Sequence, residues 1–377
     1  LNSKENLNHL KSKIRRELER RGFDPVRFTR PPLGEAAEQF KRWIESGFYG
    51  EMGYLSRREA ERTDPTRLMT ELRSVIVLAH GYDSGLPNTH QPQEGHISRY
   101  AWGRDYHDVL KEKLLSFERW LLLQGEEIRC YCSVDAQPVL EKAWAQKAGL
   151  GWRGKHTNII NAERGSYFFL STILTNLPLD PDPETEDRCG TCTQCMDVCP
   201  TRAIVAPYVL DARLCISYLT IELKGPIPRN LRPLIGNRVF GCDDCQEVCP
   251  WNRFSRVTTE KQFLPRPEIR NRPLRELLCI DPPTFQNRFK DSAISRPKWK
   301  GFMRNVLVAA GNSGDRSLAA PVREKLGHPE PLVRGHAVWA YHRLLGEESG
   351  TFLQAMEKSE TDVFVREELR SALASFS

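Results

Sequence analysis

The sequence predicts a multidomain chain of mixed α+β/α/β class, and three observations predict it. Strands alternate with helices up to about residue 178, two cysteine runs crowd residues 189–250, and a helical motif recurs after residue 300. The expected division is 1–178, an α/β domain; 179–300, a ferredoxin-like domain carrying a basic segment; and 301–377, a helical repeat domain. A chain of 377 residues, 40% of them hydrophobic, has room for two to three cores of ordinary size.

The first part opens with an amphipathic helix over 3–21, where Leu7, Leu10, Ile14 and Leu18 recur at helical steps and Gly22 stops it. A second helix is expected over 35–47. Ser74 to His80 reads as a buried strand. Asp105 is placed to cap a helix running to Gln124, with Leu110, Leu114, Phe117 and Leu121 on one face. Ile128, Cys130, Cys132 and Val134 alternate, so Glu127–Val134 is expected as a half-buried strand that delivers Asp135 to its end. A helix over 138–148 and a strand over 167–174 complete the α/β unit. The Pro178–Pro183 stretch, rich in Pro and Asp, reads as a linker.

Two apparent motifs in this part do not carry their usual meaning. Gly149-Leu150-Gly151-Trp152-Arg153-Gly154 matches a dinucleotide fingerprint, but it follows a helix instead of joining a strand to one. Asp105-Tyr106-His107 begins a corrinoid lower-ligand signature, yet Leu110 stands where that signature needs Gly. His107 therefore reads as a polar pocket or cap residue, not a metal ligand.

The second part carries the clearest chemistry. Cys189, Cys192, Cys195 and Cys199, followed by Pro200, have the C-x2-C-x2-C-x3-C spacing of a [4Fe–4S] ligand run. Cys242, Cys245 and Cys249, followed by Pro250, form a shorter run. Two clusters need eight thiolates, and Cys215 is the candidate eighth. The usual crossover assigns Cys189, Cys192, Cys195 and Cys249 to one cluster and Cys199, Cys215, Cys242 and Cys245 to the other. Structural zinc would favour two separated pairs instead. Cys130, Cys132 and Cys279 are left as free thiols.

Net charge is +6, and it is concentrated. Residues 200–300 carry 18 basic against 10 acidic side chains, while the flanking segments are each net −1. Such a block attracts a polyanion, nucleic acid above all, or is an ordinary solvated surface. Phe254, Phe263, Phe285, Phe289 and Trp299, interleaved with the bases, are expected to stack on unpaired nucleobases. No run of about eighteen apolar residues predicts a membrane span. The charged, helical stretch 1–22 does not read as a secretory signal, and clustered reduced thiols suggest the cytoplasm.

In the third part, blocks beginning at Met303, Val333 and Val365 resemble one another at spacings of 30 and 32 residues, the texture of a HEAT-type helical array. It would either cap the core or dock a large partner.

Paired clusters supply single electrons but do not transform an organic substrate alone. About 180 residues precede them, which points to a second redox centre in the first part. Asp135 is the acid singled out there. With Tyr131, Trp144, Trp152 and Phe168 nearby in sequence, it is expected to be desolvated and protonated near neutral pH, as a proton donor must be, or else to be a helix N-cap.

Ser98-Arg99-Tyr100-Ala101, Gly103 to His107, Val134-Asp135, Pro138 to Ala145, Gly149 to Trp152 and the two cysteine runs together resemble the epoxyqueuosine reductase family. That resemblance implies base-off cobalamin in the first domain and two [4Fe–4S] clusters in the second. It implies a reaction in which the epoxide oxygen of epoxyqueuosine, at the wobble position of tRNA, leaves as water. It makes Asp135 the acid. Corrin contacts are expected from Arg57, Ser98, Tyr100, Asp105, Tyr106, Asp135, Lys155, Thr157, Asn158 and Ser217. It further implies a tRNA anticodon arm as partner, an external low-potential electron donor, a monomer, and no membrane association. Two other readings stay open, a cobalamin enzyme of the reductive dehalogenase kind acting on a small molecule, and a non-catalytic iron–sulfur electron carrier.

Overall fold

A computed structural model describes residues 4–89 and 91–374. Its chain forms two compact units that interleave along the sequence. The first takes the chain up to Leu86, Gly103–Ala212 and Asp244–Leu264; the second takes Pro87–Trp102, Arg213–Asp243 and everything from Pro265 onward.

The first unit is built from helix α1 (Lys4–Arg20), strand β1 (Val26–Thr29), helix α2 (Glu35–Glu45), strand β2 (Ser74–Gly81), helix α3 (Tyr106–Leu122), strand β3 (Cys130–Ser133), helix α4 (Glu141–Lys147) and strand β4 (Phe168–Thr175). The expected start of α1 at Ser3 lies outside the described residues. The strands form one sheet in the order β1-β2-β4-β3, with Phe28 opposite Ile76, Val77 opposite Thr172, and Cys132 opposite Ile173. On one face Val75, Val77 and Ala79 pack against Trp144, Ala145, Ala148 and Leu150. Ile76 and Leu78 alternate to the opposite face and are equally buried.

Every neighbouring pair in this sheet is antiparallel. The alternation of helices and strands predicts a sheet-centred unit and leaves the strand direction open. Strand β2 is buried on both faces, and a strand buried on both faces reads as a continuous apolar run whichever way its neighbours point.

The Pro/Asp stretch expected as a linker is held down instead. Asp182 accepts hydrogen bonds from Lys11 Nζ at 2.7 Å, Arg15 Nη2 at 2.8 Å and the Phe28 backbone N–H at 3.1 Å, so this strap is tied to α1 and β1. It also explains Gly149. That residue has φ 68, and a Cβ there would stand 1.9 Å from the Pro183 carbonyl oxygen. The glycine is needed for close chain packing, not for cradling a phosphate.

In the second unit, strand Glu94–Ile97 lies between Arg238–Phe240, parallel to it, and Arg272–Pro273, antiparallel. The three similar sequence blocks fall in helices α5 (Lys298–Asn312), α6 (Pro331–Leu345) and α7 (Val363–Leu373). Helix α5 packs on α6, and α6 on α7. The arginine of each of the first two blocks has a specific task. Arg304, fully buried, donates to the carbonyls of Leu219, Leu223 and Gly225 at 2.7–2.9 Å. Arg334 pairs with Glu360 through two 2.9 Å bonds. Arg232, 1% exposed, forms a two-bond pair with Glu368 at 2.8 and 2.9 Å, which satisfies both charges without water.

Candidate functional site

Helix α3 begins where its sequence says it should. Asp105 accepts from the His107 backbone N–H at 3.0 Å and caps the helix, and its carboxylate also meets His107 Nδ1 at 2.8 Å. Tyr106 and His107 are thereby presented at the first turn. Tyr106 stacks on Phe169 of β4, with ring centres 4.3 Å apart.

Asp135 follows the end of β3, in the left-handed region at φ 53. It accepts from Tyr106 Oη at 2.5 Å, and His107 Nε2 is 3.3 Å away. Its side chain is 62% exposed. Helix α4 starts at Glu141 with Leu140 at its cap position, so Asp135 is not an N-cap. Of the four aromatics expected around Asp135, Trp144 and Trp152 are core residues.

The charge state differs from the expected one. Burial works against the Asp135 carboxylate, but the bonds from His107 and Tyr106 outweigh it and hold it at about 2, below the usual carboxylate range. Desolvation likewise opposes the His107 imidazolium, yet Asp105 and Asp135 raise it to about 9. At neutral pH, then, the proton resides on His107 and Asp135 is ionised. The sequence suggested a protonated Asp135 because it showed nearby aromatics and not the cation that tertiary packing brings to it.

Glu141 was not singled out as a site residue. Burial first, and then the Asp135 charge, push its carboxyl up to about 8, while Ser133 donates to it at 3.0 Å. It is thus a neutral acid in a segment that also holds an ionised one. Its place in the block from Pro138 to Ala145 was the only available signal.

The expected corrin contacts divide. Arg57 is exposed in the first unit. Thr157 is buried there at φ 68, and Asn158 accepts from Lys142 Nζ at 2.8 Å. The Lys155 ammonium donates to the Gly190 and Cys192 carbonyls at 2.7 and 2.9 Å and so braces the cysteine loop. Ser98, Tyr100 and Ser217 belong to the second unit. There Ser98 is buried and donates to Asp243, and Tyr100 packs against Phe240.

Cys189, Cys192, Cys195 and Cys249 are mutual neighbours in the first unit. Burial, followed by the fields of Cys189, Cys249 and Cys192, pushes the Cys195 thiol up to about 11. Four thiols gathered in this way are the donor set a cationic cluster stabilises. The Trp152 indole N–H is buried without a hydrogen-bond partner and is directed at the Cys189 sulfur, where a cluster thiolate would accept it. The residues present therefore fit an iron–sulfur cluster. Cys199 is not part of this group; its sulfur accepts from the Ala203 N–H at 3.3 Å. Cys199 and Cys245 lie in the first unit, Cys215 and Cys242 in the second.

The aromatics expected to stack on nucleobases are mostly core residues. Phe263, Phe285 and Phe289 are buried, and Trp299 donates to the Ile280 carbonyl at 2.8 Å. Phe254 alone of the five is exposed, with the Arg253 guanidinium 4.6 Å above its ring. Much of the basic block is neutralised locally: Arg266 pairs with Glu268 and Asp291, Arg272 and Arg288 with Glu276, Arg296 with Glu222. Among the described residues no helix is long and apolar enough to cross a membrane.

A four-thiol set, in the same unit as an antiparallel sheet whose edge strand leads into a paired acid and imidazolium, defines an iron–sulfur oxidoreductase. Residues 188–252 match the 4Fe-4S double cluster binding domain family, and residues 62–136 match the family described as epoxyqueuosine reductase QueG, DUF1730. The chain is 44% identical to an epoxyqueuosine reductase of Pseudomonas aeruginosa, over 85% of this chain and 91% of that one. It is 41% identical to an Escherichia coli protein of the same name, over 89% of each. A crystal structure of epoxyqueuosine reductase with an epoxyqueuosine-modified tRNA stem loop superposes with TM-score 0.89 at 33% identity, covering 98% of this chain and 99% of that one. The Bacillus subtilis enzyme, solved with its catalytic aspartate loop swung out of the active site, superposes with TM-score 0.90 at 32% identity, again over 98% and 99%. The chain belongs to the epoxyqueuosine reductase family.

Proposed function

We propose that this protein reduces epoxyqueuosine to queuosine at the wobble position of tRNA: the epoxide accepts two electrons and two protons, its oxygen leaves as water, and a carbon–carbon double bond remains. The observation that carries this reading is the exposed, ionised Asp135 paired with the charged His107, in a chain matched to epoxyqueuosine reductases over nearly its full length.

Two [4Fe–4S] clusters are assigned by the cysteine spacing, one to Cys189, Cys192, Cys195 and Cys249, the other to Cys199, Cys215, Cys242 and Cys245. Cobalamin is the second redox group, and backbone strain and an orphaned buried nitrogen support its place here. Asp135 and Thr157 are non-glycine residues held at positive φ, and the buried His156 Nε2 has no hydrogen-bond partner. Strained residues and unpaired donors gather where a ligand is to be clamped. Arg57, Tyr106, Asp135, Thr157 and Asn158 would hold it, and Asp105 and Lys155 would act by positioning their neighbours. Bound cobalamin supplies a low-valent cobalt able to open an epoxide reductively.

The chain's own residues manage the protons. A ligand that covers Asp135 removes water from it, which raises a carboxyl and lowers an imidazolium. The proton then passes from His107 Nε2 to Asp135, and Asp135 hands it to the departing oxygen. Tyr106 fixes the carboxylate's orientation. Electrons come from an external low-potential donor.

The functional division proposed is a cobalamin domain over 1–178, a cluster domain over 179–300 and a HEAT-like array over 301–377. The protein acts as a cytoplasmic monomer on the anticodon arm of tRNA. The net +8 of residues 200–300 is its electrostatic contact, and tRNA affinity falls as salt rises. The test is one anaerobic assay of reconstituted protein, cobalamin, a strong reductant and tRNA carrying epoxyqueuosine, with the digested nucleosides weighed by mass spectrometry. Cobalamin-dependent loss of one oxygen is expected. Intact epoxyqueuosine in the presence of loaded clusters and bound cobalamin overturns the assignment.

A further inference from the structure

A second group of ligating side chains stands apart from the chemistry above. Glu118 lies on α3, and Cys130 and Cys132 lie on β3. One ligand atom of each falls within 4.8 Å of both others, and Cys130 Sγ is 3.8 Å from a Glu118 carboxylate oxygen. In tetrahedral zinc coordination, with Zn–S about 2.3 Å and Zn–O about 2.0 Å, two sulfurs stand about 3.8 Å apart, and sulfur and oxygen about 3.5 Å. The three side chains thus need to close by at most about 1.3 Å. They are half-buried, so water can reach a fourth position.

The fold brings them together for simple reasons. The two-residue period of a strand puts Cys130 and Cys132 on one face. Strand β3 is the sheet's edge, held extended by its pairing of Cys130 with Thr175 and Cys132 with Ile173. Helix α3 packs on this strand and brings Glu118 to the thiols. The same geometry disfavours a disulfide. Two residues of extended strand span about 6.6 Å between Cα atoms, at the outer limit for that bond, whereas a bridging metal needs no such approach. Both thiols are free. Two thiolates and a carboxylate suit a thiophilic divalent cation more than calcium or magnesium.

We propose that Glu118, Cys130 and Cys132 form a binding site for a divalent cation of the zinc class, completed by water. Binding displaces the two thiol protons. The bound ion would clip the far end of α3 to the edge strand. Helix α3 carries Asp105, Tyr106 and His107 at its other end, and β3 runs directly into Asp135. The site is thus a brace beneath the Asp135–His107 pair, and its existence does not depend on what that pair acts on.

The test uses anaerobically prepared protein with both clusters assembled, equilibrated with micromolar Zn2+ and washed. The zinc X-ray absorption edge reports its ligands without interference from iron. The expected result is one zinc per chain with two sulfur and the remainder oxygen neighbours, and an unchanged iron content. The Cys130→Ser/Cys132→Ser double variant should bind none while keeping its iron. Should that variant fail to assemble its clusters, Glu118→Gln provides the second arm, with zinc bound tenfold or more weakly, the scale on which even outer-shell partners act. No zinc bound, an all-sulfur shell, zinc gained at the expense of iron, or undiminished binding in Glu118→Gln overturns the proposal. So does a Cys130–Cys132 disulfide found in the anaerobic protein.

Discussion

Replacing Asp135 by asparagine isolates the charge that holds His107 protonated. Asparagine tolerates positive φ as well as any non-glycine residue, so the backbone at φ 53 is kept. At 3.3 Å, two unit charges attract by about 5 kcal/mol at an effective dielectric of 20, and by about 1.3 kcal/mol in water. The Asp135 side chain is 62% exposed, so the lower figure governs, equal to about one pKa unit. Asp105 remains 2.8 Å from the other ring nitrogen, so His107 should fall from about 9 by about one unit and stay above the usual imidazole value. The stability consequence has a definite sign. A histidine raised in the folded state stabilises fully below its unfolded pKa of about 6.5 and loses that contribution as pH rises through about 9. The variant should therefore be about 1 kcal/mol less stable than wild type at neutral pH, and the difference should vanish above pH of about 9. Titration of the His107 ring by NMR and urea denaturation across that range measure both. A His107 titration unmoved by the substitution refutes the coupling, and with it the proton path drawn through Asp135. Turnover should stop in the variant while tRNA binding persists.

Three further outcomes are expected. Lys155→Met removes the two bonds to the Gly190 and Cys192 carbonyls, and anaerobic desalting should leave it with as little as half the wild-type iron, measured per chain. Glu368→Ala leaves Arg232 charged and buried without its carboxylate, a loss of about 3–5 kcal/mol that urea denaturation would register. Gly149→Ala places a methyl group against the Pro183 carbonyl at positive φ and should cost about 1–3 kcal/mol in the same assay, whether or not any nucleotide is present.

The sequence by itself determined those features whose causes lie within a few residues. Asp105 caps α3, the apolar positions from Leu110 to Leu121 face inward, and the similar blocks at Met303, Val333 and Val365 are helical, because capping and periodicity are local. The cysteine spacing was legible for the same reason: a ligand run is short, and its geometry is written in its intervals. Only the tertiary structure decided the rest. Whether β2 has parallel or antiparallel neighbours leaves no mark on a doubly buried strand. Phe263, Phe285 and Phe289 carry the same side chain as the exposed Phe254, and packing alone sorted them. Asp135 meets Tyr106 and His107 across more than twenty-five residues of chain, and that meeting sets which of them holds the proton. Charge states depend on neighbours in space, and those neighbours are fixed by how distant segments pack, not by which residues adjoin in sequence.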